Sequence, residues 1–354
     1  MKVITPSGKV RLTCRLNGRP QPGAIGWVGG ESVDGYGVIL HTTDGGETWM
    51  RQGSASEIPD ANLGGVAAVD AQNAWVVGDQ GTIMRTRNGG RTWEQQEVPA
   101  GVSDAGLCGV YAVDRNTAWV GGAVVSASAP GVILHTTDGG RTWVRQGQDL
   151  ALTAGLCGVY ASDRNHAWAV GDVESPNHYG TIVSTADGGQ TWERRPYTPV
   201  HPALGDYLIS IHGLDSSTIW AVGNAQALYS ADGGVTWDDR SPEVGFFDIN
   251  GVSVVDQNSV WVVVDDGGIF RTDDAGANWV QQTAPPGTTG DYILRISGLD
   301  GQNAWAVTEP DPTDPDPSAP GHILHTADGG QTWFIQNTPV SPGFWGVSFV
   351  RYRR

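Results

Sequence analysis

The residues with chemistry to offer are spaced by a rule. An eight-residue phrase occurs seven times, first as Thr42-Thr-Asp44-Gly45-Gly46-Glu-Thr48-Trp49 and then at 86–93, 136–143, 185–192, 230–237, 272–279 and 326–333. It places Asp44, Asp138, Asp187, Asp232, Asp274 and Asp328 in one slot, with Asn88 as the odd member. So many carboxylates invite a metal or general-acid reading. Repetition argues the other way, because a catalytic group need appear once whereas a turn device must appear in every unit. The Asp can accept bonds from nearby backbone N–H groups, the glycines permit positive φ, and the Trp can cover the space between neighbouring units. These positions are therefore read as structural, with no catalytic residue, metal or cofactor expected.

Two further sets share slots. His41, His135 and His325 precede the phrase where Arg85 and Ser184 stand elsewhere. Symmetry spreads them over separate units, which opposes a metal site. Cys108 and Cys157 occupy equivalent places in a duplicated Leu-Cys-Gly-Val-Tyr-Ala stretch. Small buried thiols are the default reading, with a disulfide or a soft-metal pair as the sharper alternative. With Cys14 the chain has three cysteines, so composition leaves the redox compartment open.

The elements that position these residues follow from the spacing. Successive closing tryptophans lie 44, 50, 49, 45, 42 and 54 residues apart, near the length of one four-stranded propeller blade. A second tryptophan precedes each phrase, at Trp27, Trp75, Trp119, Trp168, Trp220, Trp261 and Trp305. The second unit illustrates the reading: strands over 63–69, 74–78, 82–86 and 92–96, punctuated by Asp70-Ala-Gln-Asn73 and Asn88-Gly89-Gly90. After the seventh phrase, Phe344-Trp-Gly346-Val347-Ser-Phe-Val350 repeats the first-strand pattern seen at Gly65-Val66, Gly109-Val110, Gly158-Val159 and Gly251-Val252. Set beside the first unit, it would supply the missing inner strand and remove two sheet edges. The expectation is an all-β, seven-bladed β-propeller over residues 23–350, closed by a C-terminal strand. Residues 1–22 are expected to be an arm or extra outer strand, since the alternating run at 10–16 competes less well for the closing place, and residues 351–354 a basic tail.

The phrase resembles the Asp-box, or BNR, repeat of sialidases and sortilin-type receptors. The longer stretch Asn73-Ala-Trp75-Val-Val-Gly-Asp79-Gln-Gly-Thr-Ile-Met-Arg-Thr86 is similar to the Ycf48/HCF136 family of photosystem II assembly factors. That resemblance covers roughly residues 23–350 and implies a non-catalytic, protein-binding scaffold, with the Asp-box turns on the face opposite the usual binding face. The family's arginine-rich surface patch is not visible as a sequence cluster; Arg194-Arg195 and the tail Arg351, Arg353 and Arg354 are the dense basic points. A sialidase reading would need an arginine triad and an early Arg-Ile-Pro motif, which the chain lacks.

Loop length locates the candidate site, because insertions collect where a scaffold carries function. Between second and third strands the connection is short at Gly78 to Gly81 and expands at Gly29 to Gly37, Gly121 to Gly131, Gly171 to Gly180 and Glu309 to Gly321. Propeller geometry puts these loops on one face with the blade-to-blade connectors. That face is expected to gather Tyr36, His178, Tyr179, His201, Tyr207, Phe246, Phe247, Tyr292 and Trp345 as partner-binding residues. Asp172, Glu174, Glu309 and Asp311 also fall there and carry the alternative, a carbohydrate-binding propeller or a two-carboxylate glycoside hydrolase. The acidic, proline-stiffened insertion after Glu309 lacks an EF-hand pattern and reads as a solvated rim.

A formal charge of −17 excludes nucleic acid as a natural partner, since phosphate binding needs clustered cations. No stretch approaches the ~18 apolar residues of a membrane span. The partner is expected to be a protein or peptide segment, with a glycan as the alternative, engaged by a monomer. No export signal is visible in the chain as given, so the sequence leaves the location unknown: periplasmic or extracellular if a leader has been removed, otherwise cytoplasmic.

Overall fold

The computed structural model describes residues 23–124, 131–173, 179–200, 206–245, 247–288, 290–310 and 319–351. They form seven four-stranded antiparallel sheets. Blade 2 contains Leu63–Ala68, Ala74–Gly78, Thr82–Thr86 and Glu94–Gln95 from the inside outward, within two residues of the expected strands. Blades 3 to 7 follow the same order along the chain. Blade 1 is composite: Phe344–Arg351 is its inner strand and pairs antiparallel with Ala24–Val33, aligning Val28 with Val347. This is the expected closure; the competing run at 10–16 lies outside the described residues.

Second and third strands are almost wholly buried because neighbouring blades cover both of their faces. The core is therefore divided among the blade junctions. Between blades 3 and 4, for example, Trp119, Ile133, Leu156, Val159, Ala169, Val183 and Trp192 form one cluster. The second-strand tryptophans Trp27, Trp75, Trp119, Trp220, Trp261 and Trp305 are fully buried, and Trp168 nearly so.

Each Asp-box closes on itself. In the first, Asp44 Oδ1 accepts the Thr48 backbone N–H at 3.0 Å, Oδ2 accepts the Thr48 hydroxyl, and Thr42 Oγ1 accepts the Gly46 N–H. The degenerate copies keep the geometry with other atoms. Asn88 Oδ1 accepts the Thr92 N–H, and Asn278 donates its side-chain amide to Asp274. Ala275 there takes a φ of 56°, a left-handed conformation that other boxes assign to glycine.

The boxes also join blades. The carbonyl of the first box glycine accepts a side-chain donor from the preceding blade in several forms: Gln146 to Gly188, Trp168 to Gly233, Arg271 to Gly329, and both Trp305 and Gln336 to Gly45. The second glycine is favoured by backbone conformation, Gly46 taking a φ of 89°, with Gln336 Oε1 lying close over it.

Candidate functional site

The long connections and blade-to-blade connectors lie together on the face opposite the Asp-boxes. Tyr36 opens the third strand of blade 1, with the Arg51 guanidinium 3.7 Å over its ring. Tyr179 bridges to Asp206 and meets Tyr197 edge-on at 5.6 Å. The Tyr207 hydroxyl donates to the Asp248 carboxylate, and burial followed by that acceptor pushes the phenol well above its ordinary range. Phe247 is 47% exposed, Tyr292 pairs with Glu309 across blade 7, and the Trp345 indole N–H donates to Glu309 Oε2 at 2.8 Å. The structure thus brings these six side chains to one face. His178, His201 and Phe246 lie outside the described residues, as do Glu174 and Asp311.

A feature missed in the sequence reading surrounds the channel mouth on this face. Four residues after each second-strand tryptophan stand Glu31, Asp79, Ala123, Asp172, Asn224, Asp265 and Glu309, five of them carboxylates. Their equivalence is visible in the backbone: the N–H groups of Asp79, Asp172, Asn224 and Asp265 each bond to the residue leading into the blade's inner strand. Burial raises the Asp172 carboxyl above its usual range. Burial also raises Glu309, with Glu31 and Asp265 adding repulsion against the bond from Trp345. Asp265 is raised by burial and by Asp248 and Asp266, despite a bond from Asn250. The detectable signal was the fixed offset from tryptophan, obscured by the two uncharged members. Asp172 and Glu309 stand on blades 4 and 7, three apart round the ring.

The opposite face holds basic groups of which the sequence clusters revealed only Arg351. Arg85, Arg87, Arg115 and Arg351, from three blades, line one groove with Asp70 and Phe349. Arg87 pairs with Glu94, Arg115 with Asp70 and Arg351 with Asp300, while Arg85 donates to the carbonyls of Gly139 and Arg115.

Two sequence expectations are settled by packing. Cys108 and Cys157 form a disulfide, which corrects the default reading of free thiols. Cys108 lies in the inner strand of blade 3 and Cys157 immediately before that of blade 4, where Gly109 allows a backbone approach so close that a Cβ would sit 2.2 Å from the Cys157 carbonyl. His41, His135 and His325 stack on Trp27, Trp119 and Trp305 at 4.1–4.4 Å between ring centroids, and burial lowers each to about 4. In the same slot Arg85 lies over Trp75 and Arg271 over Trp261. The slot is a cross-strand cover for the tryptophan. Among the described residues no group of His, Cys, Asp or Glu has a metal-binding arrangement, and no helix is long and apolar enough to cross a membrane.

Fold, repeat and closure together define a seven-bladed Asp-box β-propeller. A family model described as "Photosynthesis system II assembly factor YCF48" matches residues 54–193 and 146–290. The chain belongs to that family, most closely the Ycf48/HCF136 type of Asp-box propeller. No curated protein sequence matches it significantly. Among solved structures it is similar to a YCF48 bound to D1 peptide, at 22% identity and a TM-score of 0.57, covering 78% of this chain and 81% of that one. It is similar to YCF48 from Cyanidioschyzon merolae at 19% identity and a TM-score of 0.59, covering 82% and 95%. An ancestral GH74 enzyme shares the fold at 12% identity and a TM-score of 0.57, with 91% of this chain but 39% of that one covered.

Proposed function

We propose that this propeller is a non-catalytic scaffold that captures a polypeptide segment of a partner protein on its long-loop face. Membership in the YCF48 assembly-factor family carries the reading. A YCF48 structure holds a D1 peptide, so a D1-like peptide is the partner class that the analogy supports. The ring of five carboxylates favours a segment bearing Lys or Arg, and Tyr179, Phe247, Tyr292 and Trp345 offer flat apolar contacts beside it. Residues Tyr36, Tyr207, His178, His201 and Phe246 complete the proposed surface. Outer strands of two or three residues are poor templates for sheet extension, which supports a monomeric unit. The Cys108–Cys157 disulfide supports work in an oxidising compartment.

The test is capture of partner polypeptides by the wild type and by a Tyr179→Ala, Tyr207→Ala, Tyr292→Ala variant. Binding should fall by about tenfold or more with the melting temperature nearly kept, and should weaken as salt rises. Recovery of no protein, together with sugar release from a glycan panel, would reverse the reading in favour of the hydrolase alternative.

A further inference from the structure

The channel wall departs from the repeat at one position. The inner-strand residue that pairs two places beyond each second-strand tryptophan is Gly346, Gly65, Gly109, Gly158, Ser210 and Gly251 in blades 1 to 6. In blade 7 it is Arg295, opposite Val307. Glycine suits this slot because adjacent inner strands approach closely there. An arginine in it is a functional group added to a scaffold position.

Arg295 lines an axial cavity of about 290 Å³ that touches the inner strands of all seven blades. No Asp or Glu is among the lining residues. The other titratable groups facing the cavity are His212, which burial holds at about 4 and therefore neutral near pH 7, and Tyr111, whose phenol burial raises. Arg295 Nη1 donates to the carbonyls of Asn250 and Leu294, at 2.9 and 2.8 Å. Its Nε and Nη2 make no hydrogen bond to the described residues, and it has no ion-pair partner among them. Guanidinium carries five N–H donors, and the edge formed by Nε and Nη2 matches the two oxygens of a carboxylate. Arg295 is half-buried in the channel wall, and burial lowers its guanidinium to about 10.

We propose that the axial channel binds a carboxylate, held by the Nε and Nη2 edge of Arg295. The carboxylate is either a free small acid or the terminal carboxylate of a polypeptide. The cavity adjoins the Asp-box end, where Phe349 and Val350 line both it and the groove carrying Arg85, Arg87, Arg115 and Arg351. The arginines of that groove are paired with Glu94, Asp70 and Asp300, whereas the far mouth is ringed by carboxylates that repel an anion. The site is therefore independent of peptide capture on the long-loop face, and either can fail without the other.

The experiment is calorimetric titration of the full chain with sodium acetate at constant ionic strength, repeated with a short peptide bearing a free C-terminus and with its amidated form. Arg295→Gly restores the residue of five other blades and should fold, as judged by tryptophan fluorescence; Arg295→Lys keeps the charge without the fork. Saturable acetate binding by the wild type, weakened about tenfold or more in Arg295→Gly and less in Arg295→Lys, is the expected result. Acetate binding alone assigns a free acid, while preference for the free over the amidated peptide assigns a chain terminus. No saturable binding of either probe, or equal affinity in Arg295→Gly, overturns the proposal.

Discussion

The Asp-box rim and the channel wall join the same seven blades by opposite means. At the rim, one acceptor recurs, the first box carbonyl, and the donor varies among Gln146, Trp168, Arg240, Arg271 and Trp305. At the wall, the junctions differ in kind. Ser348, Ser253 and Ser297 Oγ accept backbone N–H groups from Ala68, Gly298 and Phe349, and His212 Nδ1 accepts that of Val254. Between blades 3 and 4 a disulfide takes over, flanked by the Tyr111, Tyr160 and His212 rings. The difference teaches that a rim whose geometry is fixed by its backbone turn tolerates many donors. The wall, where inner strands crowd the axis, was free to diverge residue by residue and so became the place where single groups such as Arg295 stand alone.

Four experiments would break or sharpen this contrast. The largest effect belongs to neither region but to the packing between them. Trp119→Ala should cost about 3–5 kcal/mol in urea unfolding, because a fully buried ring stacked on His135 is lost. An unchanged midpoint would sink the assigned junction packing. Next comes the wall: a Cys108→Ala, Cys157→Ala variant opens a bridge spanning 49 residues and should lose about 2–4 kcal/mol. Reductant should lower the melting temperature of the wild type and leave that of the variant unmoved.

A single rim turn should matter less. Asp44→Ala removes acceptors for Thr42 and Thr48 and, by analogy with helix caps, should cost about 1 kcal/mol. A cost as large as that of the disulfide would reverse the ranking of rim and wall.

The gentlest probe is pH. Burial keeps His41, His135 and His325 at about 4 against about 6.5 when unfolded, so the unfolded chain binds more protons in that interval. Stability is full above pH ~6.5 and should fall as pH drops towards about 4. The box carboxylates add a second decline. Bonds from the Thr142 hydroxyl and N–H hold Asp138 at about 2, so its contribution, present above its unfolded value, is lost as pH falls through about 2. Thermal melts across this range should show two descending segments; a flat profile from pH 7 to 4 would contradict buried neutral histidines.

Much of the fold was legible in the chain. Seven copies of the box phrase, four of them strictly Thr-x-Asp-Gly-Gly, and seven second-strand tryptophans reveal blade number, strand order and box chemistry, because each is a local device whose atoms lie within a few residues of one another. Closure was legible too, since Phe344–Val350 repeats an inner-strand pattern. The face gathering Tyr179, Tyr207, Tyr292 and Trp345 followed from loop lengths. Their bonding did not, because Tyr207 meets Asp248 and Trp345 meets Glu309 across 41 and 36 residues.

By itself, then, the sequence determined the repeat, its seven turns and the ring they must form, since those depend on short-range hydrogen bonding and on period. Only the tertiary structure decided which unlike residues meet: Cys108 with Cys157, the five carboxylates round one mouth, four arginines in one groove, and Arg295 inside the channel. Those encounters are set by curvature and by the approach of neighbouring blades, quantities that no local pattern encodes.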